Sequence, residues 1–420
     1  MSTTVNADFQ SMLNEYLPNS MLESEFIKRD WVLSNIEIDN GWYGSKIVVP
    51  FRGASASSVE FGQLASSTDI SQSKFVRGSI DNYVEVWSSL ILNHRDLQNH
   101  SGKMTESTFL KILPNEVDNL LTYFKEVVST NLLNGSHFAT ATVSGTVGGV
   151  LEVDHIDRFN IGQKFDLDDG NSSPVAVYVI GMDVNGGTVA ASSGAITVSL
   201  TRGGAAADIS AYTTAQLARA YHPGVLTNGG FNSIRSSLLS AANGGSVAVH
   251  GVTKTAWQIL QATNIAGASY TATNLLDKLF DAYTEVRKKG RGNATNIVMS
   301  YKHLGSIMKI LEAQKGAFVV TKAPSASIYG WTEIEITTVR GAVKIIGIFE
   351  MDDDVIFFLD MKSMTFRTQG SFKKRMSPDG KEYFEIRATS GYSYVIDQCI
   401  FGELEVSKPG NNAVVYGISY

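Results

Sequence analysis

The chain has 420 residues, a formal net charge of -6 and 43% hydrophobic content, which is enough apolar side chain for buried cores in roughly two to four lobes. The acidic balance argues against a protein that neutralises many phosphates of a nucleic acid. The single cysteine, Cys399, excludes an internal disulfide framework and a zinc site of several cysteines, and its apolar run, Val395 to Phe401, suits a small buried hydrophobe. No apolar run reaches bilayer length, and residues 1–10 lack the basic start and apolar middle of a secretion signal, so a cytoplasmic site of synthesis is expected.

Residues 1–43 read as an N-terminal arm. Its short amphipathic patterns (Met12, Leu13, Tyr16, Leu17, then Met21, Leu22, Phe26, Ile27) have little capacity to fold alone, although Trp31-Val-Leu33 looks anchored. Residues 44–99 predict an extended hairpin. Its arms are Lys46 to Arg52 and Asn82 to Arg95, rich in β-branched and aromatic residues, and they flank a small, polar stretch over 53–73 that buries too little to fold by itself. Such a stretch makes sense lying on a neighbouring copy. The charged residues Arg52, Glu60, Lys74 and Arg77 are the candidate contacts.

Within 100–142 the clearest periodicity of the chain places Val117, Leu120, Leu121, Phe124, Val127, Val128 and Leu132 on one helical face. Pro114 suits the first turn, Glu116 and Asp118 complement the positive end, and Asn134-Gly135 supplies a stop, giving a helix roughly 27 Å long. Residues 143–204 change character to short strands at 149–153, 164–167, 175–182, 188–191 and 195–200. Asp168-Asp-Gly-Asn171, Asn185-Gly-Gly187 and Ser193-Gly194 mark the turns between them. This pattern predicts an inserted β-barrel or sandwich with its own fold.

Residues 205–330 mix helix and strand. Leu275, Leu276, Leu279, Phe280, Tyr283 and Val286 share a face that ends in Arg287-Lys-Lys289, and the short buried strand Ile297-Val-Met299 precedes a helix with Leu304, Ile307, Met308 and Leu311 turned inward. Residues 331–404 predict a β-sheet in which Met364 to Arg367 pairs with Glu382 to Thr389, and 405–420 returns to the preceding lobe. The fold class that results is α+β.

Chemistry-bearing patterns are scarce. Neither Gly102-Lys103 nor Gly380-Lys381 is followed by Ser or Thr, the glycines at 145, 148 and 149 fail the dinucleotide fingerprint, and no His-Glu-x-x-His pair exists. His94 and His100 suit solvated or capping roles. Asp352-Asp-Asp354 could offer oxygens to a hard cation, but adjacent turn positions point apart and a solvated turn is expected. Lys373, Lys374 and Arg375 form a basic run that reads as an intersubunit or solvated face. No catalytic residue, metal site or cofactor is expected.

The ordered series of arm, hairpin, long helix ending in Leu132-Leu133-Asn134-Gly135, Gly230 to Arg235, His250-Gly-Val-Thr-Lys254 with Trp257, Asn296 to Ser300 and the β-rich end resembles the major capsid proteins of tailed bacteriophages, the Hong Kong 97 phage capsid fold. The resemblance covers most of the chain and lies in the order of elements, with no short diagnostic motif. It implies a structural coat protein forming hexamers and pentamers of an icosahedral shell around double-stranded DNA. In that fold 44–99 is the extended loop, 100–142 and 331–404 build a peripheral domain, and 205–330 builds an axial domain. It further implies a portal and a scaffolding protein as partners, in some relatives a decoration protein, nonspecific contact with packaged DNA, no membrane, and residence in the virion after synthesis in a bacterial cytoplasm. A separate scaffold, retention of residues 1–40 and noncovalent locking of Lys74 are the corresponding expectations. An encapsulin-like nanocompartment shell of the same fold is the alternative, and the inserted β segment and long polar hairpin favour the phage subunit.

Overall fold

The computed structural model describes residues 27, 30–42, 44–54, 74–81, 83–93, 106–135, 137–143, 149–168, 174–184, 194–207, 218–289, 294–313, 333–338, 341–368, 373–374, 384–388 and 391–420. The chain divides into two units, one of residues 1–129 with 234–420, the other of residues 130–233.

In the first unit a six-stranded sheet runs in the order Thr263–Ala266, Ala413–Tyr416, Val355–Leu359, Asn296–Met299, Gly341–Gly347, Glu333–Thr338. Every residue of Asn296–Met299 and Val355–Leu359 is buried. That explains why, apart from Asn296, both are apolar with no polar alternation: they are central strands covered on both faces. Helices Leu275–Lys289 and Tyr301–Ala313 pack Leu275, Leu276, Leu279, Val286, Leu304 and Ile307 into the core of this sheet. The expected assignment of 331–359 to the later sheet is corrected here. Gly341–Gly347 pairs in parallel with Asn296–Met299, and Val355–Leu359 pairs with it in antiparallel fashion, so both runs find their hydrogen-bond partner in this sheet and not in the later one.

The second sheet is organised by one sixteen-residue strand, Gly391–Val406. Met364–Arg367 pairs with its end, Met364 opposite Val406, while Phe384–Ala388 pairs with its start. The expected pairing of Met364 to Arg367 with Glu382 to Thr389 is therefore replaced by two separate ladders on a common strand. Val84–Asn93 also pairs with this strand, from Gly402 opposite Val84 to Ser393 opposite Asn93. It was expected to be the second arm of the hairpin. That arm is instead Lys74–Ile80, paired with Ile47–Ala54.

The long helix spans Glu106–Leu133, 28 residues and about 42 Å. It starts two turns before Pro114, so this proline lies inside it and not in the first turn. Leu121, Phe124, Val128 and Leu132 are its buried stripe, and Gly135 (φ +116) ends it in the conformation that glycine adopts at low cost.

The second unit is a closed antiparallel barrel in the order Ala218–Tyr221, His137–Val143, Val150–Val153, Gly194–Ser199, Val175–Asp183, Lys164–Asp168. Its closing strand, Ala218–Tyr221, pairs with both His137–Val143 and Lys164–Asp168 and lies beyond the 143–204 segment that turn spacing marks out. Strand 188–191 lies outside the described residues. Inward positions alternate along each strand, placing Leu151, Phe165, Leu167, Val177, Val179, Ile196 and Val198 in the core, and Phe138, Phe159 and Phe165 meet with ring centroids 5.0 and 5.3 Å apart across Phe159. Gly194 has a steric reason: a Cβ there would lie 2.2 Å from Ile156 Cδ1.

The barrel core gives a direct comparison. Phe165→Ala, at 0% exposure, should cost about 3–5 kcal/mol, whereas Ile161→Ala, at 71% exposure, should change stability by no more than about 0.5 kcal/mol. Urea unfolding of the two variants against the wild type measures both.

Candidate functional site

The hairpin ladder has two unlike faces because strand residues alternate. Register sets Val49 opposite Gly78 and Phe51 opposite Val76, and these residues with Ile80 pack on Trp42, Val249, Val252 and Leu260. The other face pairs Pro50 with Arg77 and Arg52 with Phe75. It leaves Val48 53% and Phe75 67% exposed.

What holds the inner face is His250. Its backbone sits at φ +47, unusual for a residue with a Cβ, and its carbonyl accepts the Ser79 N–H at 2.9 Å. Its ring lies parallel to Phe51 with centroids 6.1 Å apart, and Nε2 accepts the Val406 N–H at 3.0 Å. One residue thus joins the hairpin to the end of the long strand. Gly78 is required beneath it, since a Cβ would stand 2.6 Å from the Phe51 ring and 2.9 Å from the His250 carbonyl oxygen. Accepting at Nε2 needs a neutral ring, and burial lowers the His250 pKa to about 4.

A second partly uncovered stripe follows on Val84–Asn93. Trp87 is 44% and Ile91 57% exposed. The Trp87 indole meets the Phe401 ring edge-on at 5.6 Å and donates to Glu85 Oε2 at 3.1 Å, while Ser89 donates to Asp397 Oδ1 at 2.7 Å.

The arm is fastened to the long helix by a buried carboxyl. Asp30 Oδ1 accepts the Leu33 N–H at 2.9 Å, capping helix Trp31–Asn35, and Oδ2 accepts the Ser129 hydroxyl at 2.6 Å. Burial, opposed by these hydrogen bonds, raises its pKa to about 6. Lys125 on the same helix pairs with buried Glu350 at 2.6 Å.

The solvated turn expected at Asp352-Asp-Asp354 is instead an ion-pair site. The Arg235 guanidinium donates to Asp352 Oδ2 at 2.9 Å and to Asp354 Oδ2 at 2.6 Å, so two of the three carboxylates are spent on one cation. Next to it, His303 Nε2 bonds the Asp353 carbonyl oxygen at 2.6 Å and Nδ1 bonds the Tyr420 hydroxyl at 2.8 Å. The carbonyl can only accept, so Nε2 carries the proton and Nδ1 accepts from Tyr420. No cluster of three His, Cys, Asp or Glu residues with metal-holding geometry occurs among the described residues, and none of the described helices is long and apolar enough to cross a membrane.

Of the charged residues singled out in the sequence, Arg52 and Arg77 are exposed on the outer hairpin face. Lys74 is in the ladder opposite Ala54, and Lys373 and Lys374 pair with Cys399 and Gln398; their side chains, together with Glu60, Arg375, His94, His100 and nearly all of 53–73, lie outside the described residues. Sequence reasoning missed Val48, Phe75 and His250. The alternation of Lys74-Phe-Val-Arg-Gly-Ser-Ile80 was the available signal for Phe75, whereas nothing local marks His250.

No family model and no curated protein matches the chain. Among solved structures it is similar to the capsid asymmetric unit of cyanophage A-1(L), at 9% identity and TM-score 0.47 over 92% of this chain and 91% of that one. The capsid of an empty GTA particle is similar at 12% identity and TM-score 0.45, over 92% and 90%. A virus-like particle from Pyrococcus furiosus is similar at 9% identity and TM-score 0.39, over 94% and 96%. At these values the likeness carries no functional argument of its own.

Acid should act on the anchors with opposite signs. Asp30, raised to about 6, stabilises the fold below its unfolded value of 3.8 and loses that contribution as pH rises through 6. His250, lowered from 6.5 to about 4, contributes above 6.5 and loses it as pH falls through 4. His250→Asn tolerates the left-handed backbone but carries no titrating ring, so from pH 7 to pH 4 it should lose about 3 kcal/mol less stability than the wild type. Gly78→Ala should cost about 1–3 kcal/mol at pH 7. Urea titrations across this pH range read both effects.

Proposed function

We propose that this chain is the repeating shell subunit of a tailed bacteriophage, a coat protein that assembles into hexamers and pentamers around double-stranded DNA. The observation that carries the reading is the two-faced hairpin. Its inner face is fixed to its own core through His250, and its outer face leaves Val48 and Phe75 uncovered. Apolar area that one copy does not bury marks an interface, and Trp87 and Ile91 on the next strand add to it. A 28-residue helix fastened to the arm through Asp30 and Ser129 supplies a stiff frame for such contacts.

The work of this protein is association, not turnover. Each contact is weak, and repetition over a closed shell makes the whole strong. Lys373, Lys374 and Arg375 join Arg52, Glu60, Lys74 and Arg77 as proposed intersubunit residues. A portal and a scaffolding protein complete the assembly, a decoration protein is compatible with it, and an acidic chain of net charge -6 encloses DNA without tight binding to many phosphates.

Expression of the full chain followed by size-exclusion chromatography and negative-stain electron microscopy tests the reading. Closed shells, or hexamers and pentamers that close when scaffold is added, are expected, and nucleic acid inside them would separate a phage shell from one that holds enzyme cargo. A chain that stays monomeric at every concentration and with every addition would overturn it. Denaturing electrophoresis of the particles should give one band near 45.5 kDa, as an uncleaved and unlinked subunit requires.

A further inference from the structure

Two exposed patches of the first unit are opposite in charge and alike in apolar content. One is the outer hairpin face, where Arg52 and Phe75 pair across the ladder beside Pro50 and Arg77. Neither arginine has a carboxylate partner among the described residues, while the nearby Lys46 is already paired with Asp81 at 2.9 Å. The second patch is the solvent side of helix Leu275–Lys289. Asp277, Phe280 and Asp281 are exposed there at i, i+3 and i+4, so Asp277 adjoins each of the other two on the surface. Phe280 was expected in the core with Leu276 and Leu279, yet it is 36% exposed. It edges an apolar depression lined also by Leu276, Tyr283, Val343 and Ile345.

We propose that the outer hairpin face of one copy docks on the 275–289 helix of a second copy, with Arg52 and Arg77 facing Asp277 and Asp281 and Phe75 lying against Phe280. The occupant is another copy because, among the described residues, no segment of the same chain pairs with the charges of either patch, and the two patches are complementary in sign. Its own hairpin is tied down on the opposite face, where Ser79 donates to the His250 carbonyl and Phe51 stacks on the His250 ring. Charge complementarity favours this register: two diagonal cations with an aromatic ring beside them meet two anions one helical turn apart with an aromatic ring beside them, while Lys288 on the same side of the helix repels the arginines from its C-terminal end. The two patches differ, so the contact is heterologous and passes from copy to copy, as a ring or lattice demands. The proposal rests on the shell reading and assigns the surface on which the hairpin lands.

The full-length double variant Phe75→Cys with Phe280→Cys tests the contact. The native thiol, Cys399, is 2% exposed and stays out of the reaction. After mild oxidation of assembled particles, non-reducing electrophoresis should show a ladder of multimers, and each single cysteine variant should show no ladder beyond dimer. In parallel, Arg52→Glu with Arg77→Glu, and Asp277→Arg with Asp281→Arg, should each lower particle yield about tenfold or more, and the combined variant should regain most of it. These four side chains are exposed, so the variants should melt as the wild type does, and the cysteine pair decides the matter if one of them misfolds. Intact particles without a ladder, or a combined variant no better than its parents, would overturn the docking and leave the shell reading standing. If the wild type assembles nothing, the shell reading fails and the docking fails with it.

Discussion

The backbone groups of Gly391–Val406 are shared among four other strands, Val84–Asn93, Met364–Arg367, Lys373–Lys374 and Phe384–Ala388, and the Val406 N–H goes to a histidine ring. A buried backbone donor without a partner costs as much as a lost hydrogen bond. The position of this one strand therefore fixes where the segment after the hairpin lies, where the arm strand Glu37–Asp39 attaches through Met364–Arg367, and how the hairpin base is held. The charged side chains along it follow the same rule. Arg367 binds Glu405 at 2.6 Å and also pairs with Asp39, so strands that share hydrogen bonds share an ion network as well.

Ionisable groups in this unit are buried or half-buried where segments distant in sequence must be joined. Asp30 ties arm to helix, Lys125 with Glu350 ties the same helix to the turn after Gly341–Gly347, and Arg235 with Asp352 and Asp354 ties a short helix to the turn before Val355–Leu359. Such links stabilise modestly once desolvation is counted. Their gain is specificity: each is satisfied in one arrangement, and breaking it leaves a charge that is buried at Asp30 and Glu350 and half-buried at Arg235.

The proposed assembly places a different demand on the surface. Such a subunit must keep apolar area available without aggregating, and here the exposed apolar side chains are dispersed over strands and a helix whose inner faces are locked. Val48 and Phe75 stand beside arginines, Trp87 and Ile91 alternate with Glu85 and Ser89, and Phe280 lies one helical turn from Asp277. Flanking charges restrict the partner to a surface of matching sign and spacing.

The sequence by itself determined what depends on local periodicity and on turn chemistry. The stripe Leu121, Phe124, Val128 and Leu132 and the stop at Gly135 follow from the 3.6-residue repeat and from the freedom of glycine at positive φ, and four of the six barrel strands follow from apolar alternation between Asp, Asn and Gly turns, whereas His137–Val143 and Ala218–Tyr221 lie outside the segment so marked. Tertiary structure alone decided which strands became neighbours. Val84–Asn93 reads as the second hairpin arm by composition, yet it is Lys74–Ile80 that pairs with Ile47–Ala54 and sets Gly78 under Phe51 and His250. The runs at 343–347 and 355–359 read as strands in either sheet until Asn296–Met299 stands between them as their common hydrogen-bond partner. Asp352 and Asp354 look solvated until Arg235, 117 and 119 residues away, is brought against them. In each case the deciding partner lies far along the chain, where a pattern read within a window of neighbouring residues carries no information.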